Sequence, residues 1–155
     1  MLLVVAAGAA FTLVRPGIAN QRLTECSRAV LAAVAGAVLE GSLPTPVQKR
    51  AASMAAHLFR LDEMIAAFPR HLRDELSDLL GMLASAPGRS LFAGLQTDWA
   101  KAEIAEVHAA LQSMRMSSIA LRQQAYHALR DLTNAAFYSA PDAWPALDYP
   151  GPNQV

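Results

Sequence analysis

Between residues 24 and 138, apolar positions recur every three to four residues in long runs closed by proline or glycine, a spacing that predicts helices. The first run starts at Thr24 and continues through Glu40. Its small residues Ala29, Ala32, Ala33, Gly36 and Ala37 would let another helix approach closely, and Gly41, Pro44 and Pro46 end it. In the second run Val47, Ala51, Met54, Ala55, Leu58, Leu61 and Ile65 trace one stripe. That predicts a core face opposite Lys49, Arg50, Arg60 and Glu63. Pro69 closes this run and is acceptable in the first turn of the next, where Leu72, Leu76, Leu79, Leu80 and Leu83 form a leucine stripe stopped by Pro87-Gly88.

A short apolar stretch, Ser90 to Leu95, follows. Thr97-Asp98 then reads as a helix start that sets Ile104, Val107, His108 and Leu111 on one side and Lys101, Glu103 and Glu106 mostly on the other. A final run from Ser117 to Tyr138 presents Leu121, Ala125, Leu129, Leu132 and Ala136 in register. No segment shows sustained strand alternation, no Asn-Gly hairpin occurs and no repeat period is visible. The expected fold class is all-α, a bundle of about five helices with an extended Pro/aromatic C-terminal tail. Three sections follow: an apolar N-terminal segment (1-16), a helical bundle domain (17-138) and the tail (139-155).

A chain of 155 residues suits one domain with a real core. Thirteen basic and thirteen acidic side chains cancel, and no basic cluster is denser than Lys49-Arg50, which argues against a nucleic-acid partner. The single cysteine, Cys26, excludes an internal disulfide and paired-Cys metal motifs; its place in a helical pattern predicts a small buried hydrophobe. His57, His71, His108 and His127 fall at no metal-ligand spacing, so no metal site is expected. His71 with Glu75 and Asp78, and His127 with Asp131, read as surface ion pairs, and His108 as a hydrogen-bonded core or interface histidine. No phosphate loop, dinucleotide fingerprint or nucleophile elbow is present, so neither a catalytic site nor a cofactor is expected in this chain.

The two ends are apolar. MLLVVAAGAAFTLV carries no charged side chain, falls short of the ~20 residues of a spanning helix and is broken by Arg15-Pro16-Gly17. An export-signal remnant, a short membrane-associated anchor and an arm packed on a partner stay open for it. The last stretch, SAPDAWPALDYPGPNQV, combines four prolines with Trp144 and Tyr149, a composition unlike a solvating tail. Stiff before binding, such a tail loses little entropy in a groove, and Trp144 alone could supply roughly 4 to 6 kcal/mol of gross burial. For Trp144 a partner groove and the open end of its own bundle remain equal alternatives. For Tyr149 to Pro152, farther from the bundle, the partner is favoured.

The Gly94–Trp99 segment, the helix end Ala128–Tyr138, Trp144 and the terminal Tyr149-Pro150-Gly151-Pro152 resemble a family of small accessory subunits of the gluconate 2-dehydrogenase subunit 3 type; Leu39–Pro44 extends the likeness more weakly. The resemblance implies a non-catalytic subunit that stabilises, matures or helps export a large FAD-carrying dehydrogenase of the glucose-methanol-choline class, often with a cytochrome c subunit as electron acceptor. It also implies a periplasmic location, or one at the periplasmic face of the inner membrane. Trp99, Phe137, Tyr138, Trp144, Tyr149, Pro150, Gly151 and Pro152 are the partner-binding residues that follow from it. The twin-arginine pair typical of such subunits does not occur in this chain. The competing reading is a free-standing helical protein that binds a small apolar ligand or a membrane surface, with the first fourteen residues as anchor.

Overall fold

The computed structural model describes residues 15–141, 143 and 144, and these form an all-α bundle. Five helices of twelve residues or more lie within them: α1 (Glu25–Val38), α2 (Val47–Ala67), α3 (Arg70–Ala84), α4 (Ile104–Arg115) and α5 (Ala120–Tyr138). Between α3 and α4 a single turn, Ala86–Gly88, runs into a wide π-type turn, Arg89–Ala93. Ser85 Oγ caps the single turn by accepting from the Gly88 N–H at 3.1 Å. Gly94 leaves the π-type turn at φ 76°, a left-handed conformation that glycine adopts without steric cost.

The Ala-rich α1 is the central element, in contact with α2, α3, α4 and α5. Its Val30, Leu31, Val34, Ala35 and Ala37 are buried, and the small side chains between them let four neighbours approach. Leu61 and Ile65 of α2, Leu80 and Leu83 of α3, Met114 of α4 and Leu129 of α5 complete a fully buried centre. A second cluster, Ala35, Leu39, Leu43, Phe137 and Ala143, closes the end of the bundle where α5 stops.

The chain enters through a feature that the apolar pattern does not announce. Strands β1 (Ile18–Ala19) and β2 (Arg22–Leu23) pair antiparallel around Asn20 and Gln21, both at positive φ (50° and 62°), the backbone of a two-residue hairpin turn. Two-residue strands are too short to show alternation. The hairpin is stitched to α3, where Gly17 N–H donates to the Ser77 carbonyl at 3.0 Å and Ile18 N–H to Ser77 Oγ at 3.1 Å. On α2, the Leu23 N–H donates to Asp62 Oδ1 at 2.9 Å. Gly17 permits this approach, since a Cβ there would lie 2.6 Å from Leu80 Cβ and 2.7 Å from the Ser77 carbonyl oxygen.

Several sequence expectations need correction. Thr97-Asp98 does not begin a helix: Asp98 Oδ1 accepts from the Ala100 N–H at 3.1 Å in a local turn, and α4 begins six residues after Asp98 at Ile104. Its start is a capping box in which the Glu106 carboxylate accepts from the Glu103 N–H at 2.9 Å and the Glu103 side chain returns the bond. Cys26 is exposed, because the buried face of α1 begins at Ser27 and turns Cys26 outward. The α2 stripe is core only from its middle onward. Val47 is 83% exposed, the first turns overhang the bundle, and the buried face carries His57 and Asp62 beside Leu61 and Ile65.

Candidate functional site

The third and fifth helices each carry more apolar side chains than the core covers. In α3 Leu76, Leu80 and Leu83 are buried, whereas Leu72 is 40% exposed and Leu79 only half-buried. In α5 Ala125, Leu129, Leu132 and Ala136 are buried, whereas Leu121 at the first turn is 58% exposed. Because α1 packs against both helices, it keeps α3 and α5 apart, and the uncovered residues line a trough between them.

Two adjoining hollows, about 430 and 380 Å³, make up this trough and share Leu72, Leu76 and Ala128. The first continues over Leu79 and Met82 toward Leu121; the second reaches Met64, Phe68 and Leu132. Glu75, Asp78 and Asp131 are the ionisable side chains among the lining residues, and all three are acidic. At the Leu121 end, Met116 and Ile119 on the α4–α5 connection are exposed as well. That connection is held by Arg122, whose Nε donates to the Phe92 carbonyl at 2.7 Å and whose Nη2 donates to Ser113 Oγ at 2.9 Å.

A separate hollow of about 540 Å³ lies between Arg15-Pro16, the start of α1 and the end of α3, and Cys26 lines it.

The aromatic residues expected to bind a partner are divided by the structure. Trp99 is 3% exposed in the main core, and its indole N–H donates to the Leu83 carbonyl at 2.8 Å. Phe137 is buried in the end cluster. Both therefore face inward, because the Asp98 turn and the last turn of α5 point these rings at the bundle. Tyr138 is half-buried with its hydroxyl 3.1 Å from Ser42 Oγ, and Trp144 is half-buried with its indole N–H donating to the Tyr138 carbonyl at 3.0 Å. The start of the tail thus folds back onto its own bundle. Tyr149, Pro150, Gly151 and Pro152 lie outside the described residues.

Two buried polar residues were not singled out by sequence. Asp62 accepts from the Leu23 backbone and pairs with the Arg28 guanidinium, which ties hairpin, α1 and α2 together. His57 is fully buried with its ring edge-on to Phe137, centroids 6.2 Å apart, and neither ring nitrogen has a hydrogen-bond partner among the described residues. Burial, assisted by the nearby Arg60 guanidinium, pushes its pKa down to about 4. Arg60 itself donates from Nε to the Ala136 carbonyl at 2.8 Å. The neutral imidazole is held in a helix interface.

His108, expected on an apolar face, is exposed instead and reaches Glu40 Oε2 at 3.0 Å, because the buried face of α4 runs through Val107, Ala110, Leu111 and Met114. Among the described residues no group of His, Cys, Asp and Glu side chains is arranged to hold a metal ion, and no helix is long and apolar enough to cross a membrane. No family model, curated protein or solved structure matches this chain.

Proposed function

We propose that this chain is a non-catalytic accessory subunit that docks on a large FAD-dependent dehydrogenase subunit and stabilises, matures or helps export it, in a complex that passes electrons to a cytochrome c. The observation that supports docking is the trough between α3 and α5, which groups the exposed Leu72 and Leu121 with the half-buried Leu79 along one groove. Uncovered leucines grouped along one groove are what a subunit interface leaves when its partner is taken away. The flavoprotein as partner, and a periplasmic site of action, rest on the sequence resemblance in the Gly94–Trp99 segment, the end of α5 and the tail. In this reading Tyr149 to Pro152 add a second contact on the large subunit, while Trp144 fastens the base of the tail to its own bundle.

Affinity purification with a tag on this chain, expressed alongside its genomic neighbours, tests the proposal. The expected result is a larger protein retained in stoichiometric amount with a flavin absorption spectrum, while the isolated chain shows no visible absorption. A flavin bound by the isolated chain, or a purified chain that holds no flavoprotein, refutes the reading.

A further inference from the structure

The walls of the trough are helices, whose backbone groups are engaged in their own ladders, so the groove offers an occupant side chains and no backbone partners. An extended peptide laid there would bury unpaired amides; a helix brings its own pairing. Length fits the same occupant. The α3 wall runs from Leu72 to Met82 and the α5 wall from Leu121 to Ala135, about 15 and 21 Å at 1.5 Å per residue, or three to four helical turns. Met82 and Met64, near the two ends, are flexible side chains that can adapt to a ligand's contours.

Charge narrows the choice. Glu75, Asp78 and Asp131 edge an apolar floor, and among the described residues no Lys, Arg or His lines it. A second copy of this chain docking trough to trough would set those carboxylates against their own mates, an anionic bilayer would meet the same repulsion, and the uncharged side chains of residues 1–14 would leave the acids unmatched. We infer that the α3/α5 trough receives an amphipathic helix of the partner protein, three to four turns long, with an apolar stripe flanked by Lys or Arg. The inference rests on the accessory-subunit reading only in placing that helix on the large subunit.

The test uses the full chain and two fluorescent synthetic helical peptides of about 14 residues that share a leucine stripe and carry either Lys or Glu on the flanks. In anisotropy titrations the Lys-flanked peptide should saturate one site per chain at least about 10-fold more tightly than the Glu-flanked one, and should gain helical dichroism on binding. Ala128→Arg fills the groove from an exposed position and should weaken binding more than about 10-fold. Leu121→Glu, also at an exposed position, serves as the second variant if Ala128→Arg lowers helicity. Glu75→Lys with Asp78→Lys should reverse the preference between the peptides. Equal affinity for both peptides, binding indifferent to Ala128→Arg and Leu121→Glu, displacement by a peptide of residues 1–14, or trough-dependent dimerisation in sedimentation overturns the inference. If a flavoprotein co-purifies equally well with the Ala128→Arg chain, the trough assignment falls and the subunit reading stands. If the Lys-flanked peptide binds as expected and no flavoprotein is ever retained, the subunit reading falls and the trough assignment stands.

Discussion

Replacing His57 with Leu should remove most of one acid-sensitive component of stability. The imidazole is buried against Phe137, and its pKa drops from 6.5 to about 4, first through loss of hydration and then through the Arg60 charge. Because the folded pKa lies below the unfolded one, the unfolded chain takes up the proton first as pH falls. The stability associated with neutral His57 is complete above pH 6.5 and is lost progressively down to about pH 4. Proton linkage between these two pKa values gives a loss of about 2.5 kcal/mol at a pH of about 4.5, relative to about 7.5. For a domain of this size that corresponds to roughly 5 to 10 °C in melting temperature. Urea unfolding of the wild type and of His57→Leu at both pH values isolates the effect, since the remaining titrating groups are common to both proteins. The wild type should lose about 2.5 kcal/mol more than the variant on acidification. At neutral pH the variant should be as stable or more so, because the substitution removes two buried nitrogens that lack partners. An equal acid loss in the two proteins refutes the assignment of a buried, neutral His57.

Asp62→Ala leaves the Leu23 N–H without its acceptor and Arg28 without its counter-ion; as the Arg28 side chain is 37% exposed and can rehydrate, the cost should be about 2 to 4 kcal/mol by urea unfolding. Amide exchange should show the loss spread over hairpin, α1 and α2; a loss confined to the hairpin refutes the three-way tie. Trp144→Ala should lower the melting temperature of the isolated chain, by about 1 to 2 kcal/mol of stability, through loss of the bond to the Tyr138 carbonyl and of partial burial. An unchanged melt together with weakened partner capture would return Trp144 to the partner interface.

Helices and their breaks were legible because proline and glycine punctuate this chain at the places where its 3.6-residue periodicity stops. Pro46, Pro69 and the Pro87-Gly88 pair each stand at or within three residues of a helix boundary. The start of α4 was hidden because its cap is Glu103, a residue with a poor cap preference that works here through its exchange with Glu106. His57 and Asp62 were hidden for a different reason: periodicity marks apolar positions, and these two are held inside by specific neighbours. The trough was the least legible feature. The leucines of α3 and the first turn of α5 were visible as stripes, but a stripe says which side chains share a face and not how near the next helix comes. That separation is set by α1, which packs against both helices. The resemblance assigned Trp99 and Phe137 to a partner, and the structure buries both rings in the bundle; an aromatic beside a turn looks the same in sequence whether its ring points out or in.

The central position of α1 has a consequence for biosynthesis. Leu31 and Val34 belong to the first of the described helices, yet the helices that shelter them finish only with α5 at Tyr138, about 100 residues later. At roughly 5 to 20 residues per second, translation leaves the most apolar of the described helices without its full set of neighbours for about 5 to 20 s. The hairpin obeys the same schedule, since Gly17 and Leu23 wait for Ser77 and Asp62 to emerge. The described bundle therefore cannot close in the order in which its helices are made. The first described helix waits for the last, and a ribosome-bound nascent chain truncated before α5 should be held by chaperones in proportion to the exposure of that one helix.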